Sequence, residues 1–105
     1  MRYVCNHIPI TRACSVHAHR ASFRGQVRCC SDVKLSPAWL SLRPGCSVWG
    51  GSNAGWPCTR DKTFAEAEAI CQAAGARLCT AEELQGGCTA GTGCYFDFEL
   101  IWGTA

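Results

Sequence analysis

Cys5, Cys14, Cys29, Cys30, Cys46, Cys58, Cys71, Cys79, Cys88 and Cys94 are the residues of this chain with the widest choice of chemistry. As thiolates they could hold zinc or exchange disulfides; as oxidised pairs they could cross-link a fold. Zinc and redox sites usually present two sulfurs from one turn as C-x-x-C, and no such pair occurs. An even count spread along a short chain is the usage of an oxidised, secreted domain, so five disulfides are expected. The connectivity stays open, at about 900 pairings. One local constraint exists: the adjacent Cys29 and Cys30 point to opposite faces of a strand and so bridge different partners. With every thiol oxidised no nucleophilic thiolate remains, and an enzyme is not expected.

The remaining chemistry is thinner. His17 and His19 form H-x-H, two imidazoles on one strand face with no third ligand spaced to join them, so no metal is expected there. Ser, His and Asp are present without a G-x-S-x-G elbow. The G-T-G at 91–93 lacks the strand–loop–helix order and the lysine of a phosphate loop. Asp97 and Glu99 follow the loop C-T-A-G-T-G-C and could offer oxygens to calcium, although two alternate carboxylates fall well short of a full ligand set. Four tryptophans invite sugar stacking. Trp39 and Trp102 read as core, whereas Trp49 and Trp56, flanked by Gly, Ser and Asn53, read as partly exposed. Candidate ligand contacts are therefore Trp49, Asn53, Trp56, Asp97 and Glu99, with no cofactor.

The elements that must position these residues are clearest in the second half. Thr63 and Glu66 form an S/T-x-x-E capping box, and Gly75 sits where a left-handed residue would close the helix. Thr80 and Glu83 repeat the box, predicting a short helix over Ala81–Gln85 stopped by Gly86 and Gly87. Phe64, Ala67, Cys71 and Ala74 fall on one face of the first helix, which places that cysteine among small buried residues. A short strand lies between the helices, a cysteine-bounded loop follows them, and Leu100–Gly103 reads as a buried strand. Upstream, Tyr3–Cys5 and Ile8–Ile10 are short apolar runs broken by Pro9. Phe23–Cys30 alternates as a strand with Phe23, Val27 and Cys29 on one face. Val48 and Trp49 are expected to form a strand, with Pro37, Pro44, Pro57 and the Gly50-Gly51 pair marking turns.

At 105 residues this is one small domain or one repeat cut from a longer chain. The opening MRYVCNHIPI has no apolar run long enough for a signal peptide, so a secretion signal is expected outside this sequence. No stretch is long and apolar enough for a membrane span, and no membrane insertion is expected. Residues 1–50 carry seven Lys or Arg against Asp32 alone, while residues 51–105 carry three basic and seven acidic residues, giving halves of +6 and −4. Close pairing within one fold accounts for that split, and head-to-tail association of copies is its sharper reading. Scattered arginines without a basic helix argue against nucleic acid. Neither Asn6 nor Asn53 begins an Asn-x-Ser/Thr sequon, so a glycoprotein would carry O-linked sugars.

The run F-x-E-A-x-x-x-C-x-x-x-G-A-R-L over 64–78, followed by a capped second helix, resembles the two-helix part of the C-type lectin-like fold, including its formylglycine-generating-enzyme-like branch. In that fold a tryptophan-bearing strand follows the second helix, and Leu100-Ile101-Trp102-Gly103 is similar to it. The closing strand of the fold often reads F-x-G-x-R-C, which SFRGQVRCC at 22–30 resembles. The resemblance implies an α+β, disulfide-rich domain of two short helices against a short antiparallel sheet. Residues 1–30 would supply the closing half and 46–103 the strand-helix-helix-strand half. The order is that of a circular permutant or of a window on tandem repeats, and either requires the N-terminal strands to pair near Leu100–Trp102. Residues 28–103 also resemble a cysteine-rich repeat of secreted microalgal proteins. The E-P-N, Q-P-D and W-N-D runs of calcium-dependent sugar binding are absent, and the reactive cysteines of formylglycine generation lie late in a much longer chain.

Two functions follow as expectations. The first is an extracellular structural repeat that assembles into a fibre, coat or matrix with copies of itself or with neighbouring repeats, through strand and charge complementarity. The second is a carbohydrate-binding or adhesion module with glycans as partners.

Overall fold

The structure, a computed structural model, describes residues 24–94, 96 and 100–104, together with the backbone of residues 2–7 and 12–16. The expected run Ile8–Ile10 and the residues Phe23, His17 and His19 lie outside the described residues. The architecture is α+β: strands β1 (Arg2–His7), β2 (Arg12–Val16), β3 (Cys29–Ser31) and β4 (Trp49–Gly51), helix α1 (Phe64–Ala73), strand β5 (Arg77–Leu78), helix α2 (Ala81–Gln85) and strand β6 (Leu100–Thr104). They form two three-stranded antiparallel sheets, in the orders β2-β1-β6 and β4-β3-β5. The pairing of β1 with β6, Arg2 opposite Thr104 and Asn6 opposite Leu100, brings the N-terminal strands to the strand that contains Leu100–Trp102.

Both helices start as their sequences dictate. In each, the capping threonine accepts the amide of the glutamate three residues on, and that glutamate accepts the threonine's amide in return. Each cap is worth about 1 kcal/mol. Gly75 and Gly87 then take the left-handed conformation, at φ 77° and 73°, that ends each helix. A five-residue helix has no stability of its own, so α2 depends on its box, on buried Leu84 and on its attachment to β5.

The core has two halves, and strand alternation sorts residues between them. Cys29, Leu78 and Trp102 enter one half with Val27, Trp39, Ala67 and Cys71; Cys30, Cys79 and Ile101 enter the other with Val48, Leu84 and Phe96. Four disulfides are described: Cys29–Cys71, Cys30–Cys79, Cys46–Cys88 and Cys58–Cys94. The adjacent cysteines bridge different partners, one in each half of the core. The two sheets are stitched along β6, where the Gln26 amide donates to the Leu100 carbonyl at 2.8 Å and the Thr104 amide to the Cys79 carbonyl at 3.0 Å.

Two expectations need correction. The strand expected over Phe23–Cys30 is regular only at Cys29–Ser31, because the chain changes partners: Gly25 and Gln26 bridge Lys62 and Ile101, and only then does the segment join β4 and β5. The Gly50-Gly51 pair is strand, not turn. A Cβ at Gly50 would lie 3.1 to 3.3 Å from the Thr92 and Thr89 side chains, and one at Gly51 would lie 2.9 Å from the Ala54 Cβ. Close packing, rather than turning, selects glycine there.

The same holds at Gly103, where a Cβ would meet Leu84 Cδ1 at 2.9 Å and the Cys79 carbonyl oxygen at 3.1 Å. One neighbour is backbone and cannot yield cheaply. Gly103→Ala is expected to lose about 1–3 kcal/mol in urea unfolding. A loss below about 0.5 kcal/mol, the scatter of an ordinary surface change, would contradict this contact.

Candidate functional site

The proposed contacts Trp49, Asn53 and Trp56 stand on β4 and the loop that leaves it, so that loop's construction decides what they can do. Its anchor is Arg28, which is fully buried. Arg28 Nε donates to the Ser52 hydroxyl at 2.8 Å and Nη2 to the Gly93 carbonyl at 3.0 Å. One guanidinium fork therefore ties the loop after β4 to the cysteine-bounded loop at 88–94. The Cys58–Cys94 bridge closes the same two segments covalently. Gly93, at φ 117°, leaves room for Asn53, whose Oδ1 would lie 3.0 Å from any Cβ there.

The tryptophans are half-buried, as expected, but neither is a free platform. Both pack against the core half that contains Trp39. The Trp56 ring meets Trp39 edge-on, centroids 5.8 Å apart at 60°, and its Nε1 is buried with no hydrogen-bond partner among the described residues. The Lys34 ammonium sits 5.4 Å above the Trp49 ring. A sugar stacking on that face would have to displace a cation–π contact worth about 0.5–1 kcal/mol at an exposed site. Asn53 is exposed. Asp97 and Glu99 lie outside the described residues, as do the side chains of Cys5 and Cys14.

Among the described residues no cysteine is free. Cys30, Cys79 and Glu83 bring ligand-type atoms within 4.8 Å of one another, but the two sulfurs are bonded together and Glu83 is already engaged. Arg77 donates to both Glu83 oxygens at 2.9 Å and to Asp32 at 3.0 Å, and the Thr80 amide adds a 2.8 Å bond to Glu83 Oε1. An open groove of about 510 Å³ beside α2, lined by Gly45, Val48, Thr80, Glu82 and Gly86, contains none of the proposed contacts. No helix among the described residues is long and apolar enough to cross a membrane.

The Arg77 clamp has a pH consequence. Partial burial raises the Glu83 pKa, but the Arg77 guanidinium and the Thr80 amide outweigh it and hold the carboxyl below its ordinary value; Arg77 is shifted up in return, chiefly by its hydrogen bonds to Glu83. Because the fold depresses this pKa, its stabilisation is complete above the unfolded-state value of about 4.3 and is lost as pH falls through the lower folded value. Glu83→Gln is expected to cost about 1 kcal/mol at pH 7, a modest figure because the clamp is partly solvated, and progressively less in acid. Urea melts at pH 7 and pH 3 that give the same difference would contradict this coupling.

Sequence reading missed Arg28, counted there as one scattered charge. Its position inside the alternating run at 27–30 is a local signal of burial.

No family model, no curated protein and no solved structure matches this chain.

Proposed function

We propose that this chain is an extracellular, non-enzymatic module on a C-type lectin-like scaffold, used as a structural repeat that associates with copies of itself. The observation that carries this reading is the placement of the end strands. β1 and β6 are antiparallel neighbours with Arg2 beside Thr104, so successive units could follow one another or exchange strands with little rearrangement of the sheet. The order α1-β5-α2-β6, with two capping boxes and a tryptophan on the last strand, supports the scaffold assignment. The disulfides support an oxidising, extracellular setting.

Part of the uneven charge is compensated within the unit: Arg24 of the basic half pairs with Glu66 of the acidic half at 3.3 Å. Lys34 and Arg43 remain on the exposed surface of the basic half, and Glu82 on that of the acidic half. The carbohydrate-binding alternative draws less support, because Trp49 is covered by Lys34 and Trp56 is wedged against Trp39.

Negative-stain electron microscopy of unreduced protein, with mass determination on the same sample, is the test. Regular fibres or a mass many times that of one 11.3 kDa chain is the expected result. A dispersed particle of one chain's mass would overturn assembly and make a glycan array, with and without calcium, the next experiment.

A further inference from the structure

The covalent cross-links divide the molecule unevenly. All four described disulfides join residues between 29 and 94. The β1–β2 hairpin lies outside that block, and among the described elements it packs chiefly against β6 and α2. Cys5 and Cys14, the two cysteines left over, stand directly opposite each other in the hairpin register. Opposed residues of an antiparallel pair have Cα atoms about 4.5–5.5 Å apart, within the span of a disulfide. A fifth bridge between them would close the hairpin on itself and still leave it unlinked to the body.

The strand under the hairpin has hydrogen bonds of its own to the body. β6 is the edge strand of the β2-β1-β6 sheet, and isolated bridges to Gln26 and Thr80 join its other side to the body, so alternate residues serve its two sides. Leu100, Trp102 and Thr104 bond the body, through Gln26 and Cys79. Ile101 and Gly103 are the residues opposite Cys5 and Tyr3 of β1. If the hairpin leaves, β6 stays anchored by its other edge and presents a bare row of backbone donors and acceptors. Such a row pairs readily with another strand, and the hairpin of a second copy carries the matching one. Seven residues separate Val16 from Arg24, a length that spans roughly 25 Å when extended, against a shortest molecular dimension of 22 Å.

We infer that the β1–β2 hairpin, closed internally by a Cys5–Cys14 bridge, is an exchangeable strand pair, docked on β6 and α2 of its own unit or of the next. This rests on the reading of the chain as a self-associating module and names the contact through which copies join. The partner is a second copy of this chain, because only it supplies the same register, the same closed hairpin and the same α2 surface.

The test marks the β1–β6 contact directly. In Asn6→Cys/Leu100→Cys, new cysteines replace two residues that are direct partners at the end of the ladder. Equal amounts of ¹⁴N- and ¹⁵N-labelled variant are mixed under native conditions and oxidised, and the peptide linking position 6 to position 100 is weighed. About half of the linked peptides should join one light and one heavy chain if hairpins exchange freely. Linked peptides of one label only would overturn the inference.

Hydrogen exchange on the unaltered protein guards against mispairing of the added cysteines. Residues 2–7, 12–16 and the β1-facing amides of β6 should open together while 24–94 stays protected. Opening of the hairpin only together with the disulfide-bonded block would overturn the inference as well. Fibres with same-label peptides would sink hairpin exchange and leave assembly standing. Single-chain particles with same-label peptides would sink both.

Discussion

Replacing Cys29 and Cys71 together by alanine is expected to destabilise the chain by about 3 kcal/mol and to release α1 to protease while most of the fold remains. The two residues are 42 apart in sequence, and loop entropy alone would assign such a closure about 4 kcal/mol. That figure is too large here, because Cys30–Cys79 joins almost the same two points. With that bridge intact, the path from Cys29 through Cys30 and Cys79 back to Cys71 is a loop of roughly ten residues, for which the same relation gives about 3 kcal/mol. Both sulfurs are fully buried beside Val27, Trp39, Ala67, Leu78 and Trp102, so their removal also leaves a small void. At 4–8 °C per kcal/mol for a domain of this size, Tm should fall by roughly 12 °C or more.

The local effect discriminates better than the global one. α1 is held at its start by Phe64, which packs edge-on against Trp102 at 5.5 Å, and at its end by Cys71. Loss of the second anchor should let the helix open and expose Lys62 and Arg77, which flank it, to trypsin. Cys46→Ala/Cys88→Ala, which removes a bridge elsewhere, is the control. Equal resistance of α1 in both variants, with Tm within about 2 °C of the unaltered protein, would mean that the helix is held by packing alone.

The elements that were legible in the sequence are those whose cause is local. Thr63 and Glu66, or Thr80 and Glu83, announce a helix because both partners of the cap lie within one turn. The opposite orientations of Cys29 and Cys30 follow from strand geometry and needed no knowledge of their partners. Misreadings arose where the cause is tertiary. A diglycine signals a turn by local statistics, yet Gly50 and Gly51 are strand because the Thr89, Thr92 and Ala54 side chains occupy the space a Cβ would need. The half-burial of Trp49 and Trp56 agrees with their Gly-, Ser- and Asn-bearing flanks, but Lys34 over one ring and Trp39 against the other come from elsewhere in the chain. The disulfide pairing belongs to the same class: adjacency limits two cysteines, and the rest is fixed only by which strands meet.

Arg28 is the strongest case of a tertiary cause, and its replacement should have the largest effect of any single polar substitution away from the cysteines. Its guanidinium is fully buried and holds Ser52 and Gly93 together from segments 24 and 65 residues distant. Arg28→Met keeps most of the side-chain volume but strands the Ser52 hydroxyl and the Gly93 carbonyl. The Ser52 hydroxyl is fully buried and the Gly93 carbonyl half-buried, so at about 1–3 kcal/mol for a buried group left unpartnered, and less for the second, the expected cost is roughly 2–4 kcal/mol. Arg28→Lys should recover only a minor part, because one ammonium cannot reproduce the fork that spans two acceptors on different loops. Ser52→Ala should cost about 1–3 kcal/mol, since the Nε proton it leaves is as buried as the hydroxyl it removes. The two losses should be strongly non-additive, and Arg28→Met/Ser52→Ala should cost less than their sum by about 1 kcal/mol or more. Urea melts of the three variants measure this, and hydrogen exchange should place the lost protection in residues 52–56 and 88–94. Strict additivity, or a cost below 1 kcal/mol for Arg28→Met, would mean that the loops are held by Cys58–Cys94 without the arginine. If the arginine does hold them, the exposed position of Asn53 is set by a charge inside the fold, and surface chemistry proposed for that loop has to be tested with Arg28 intact.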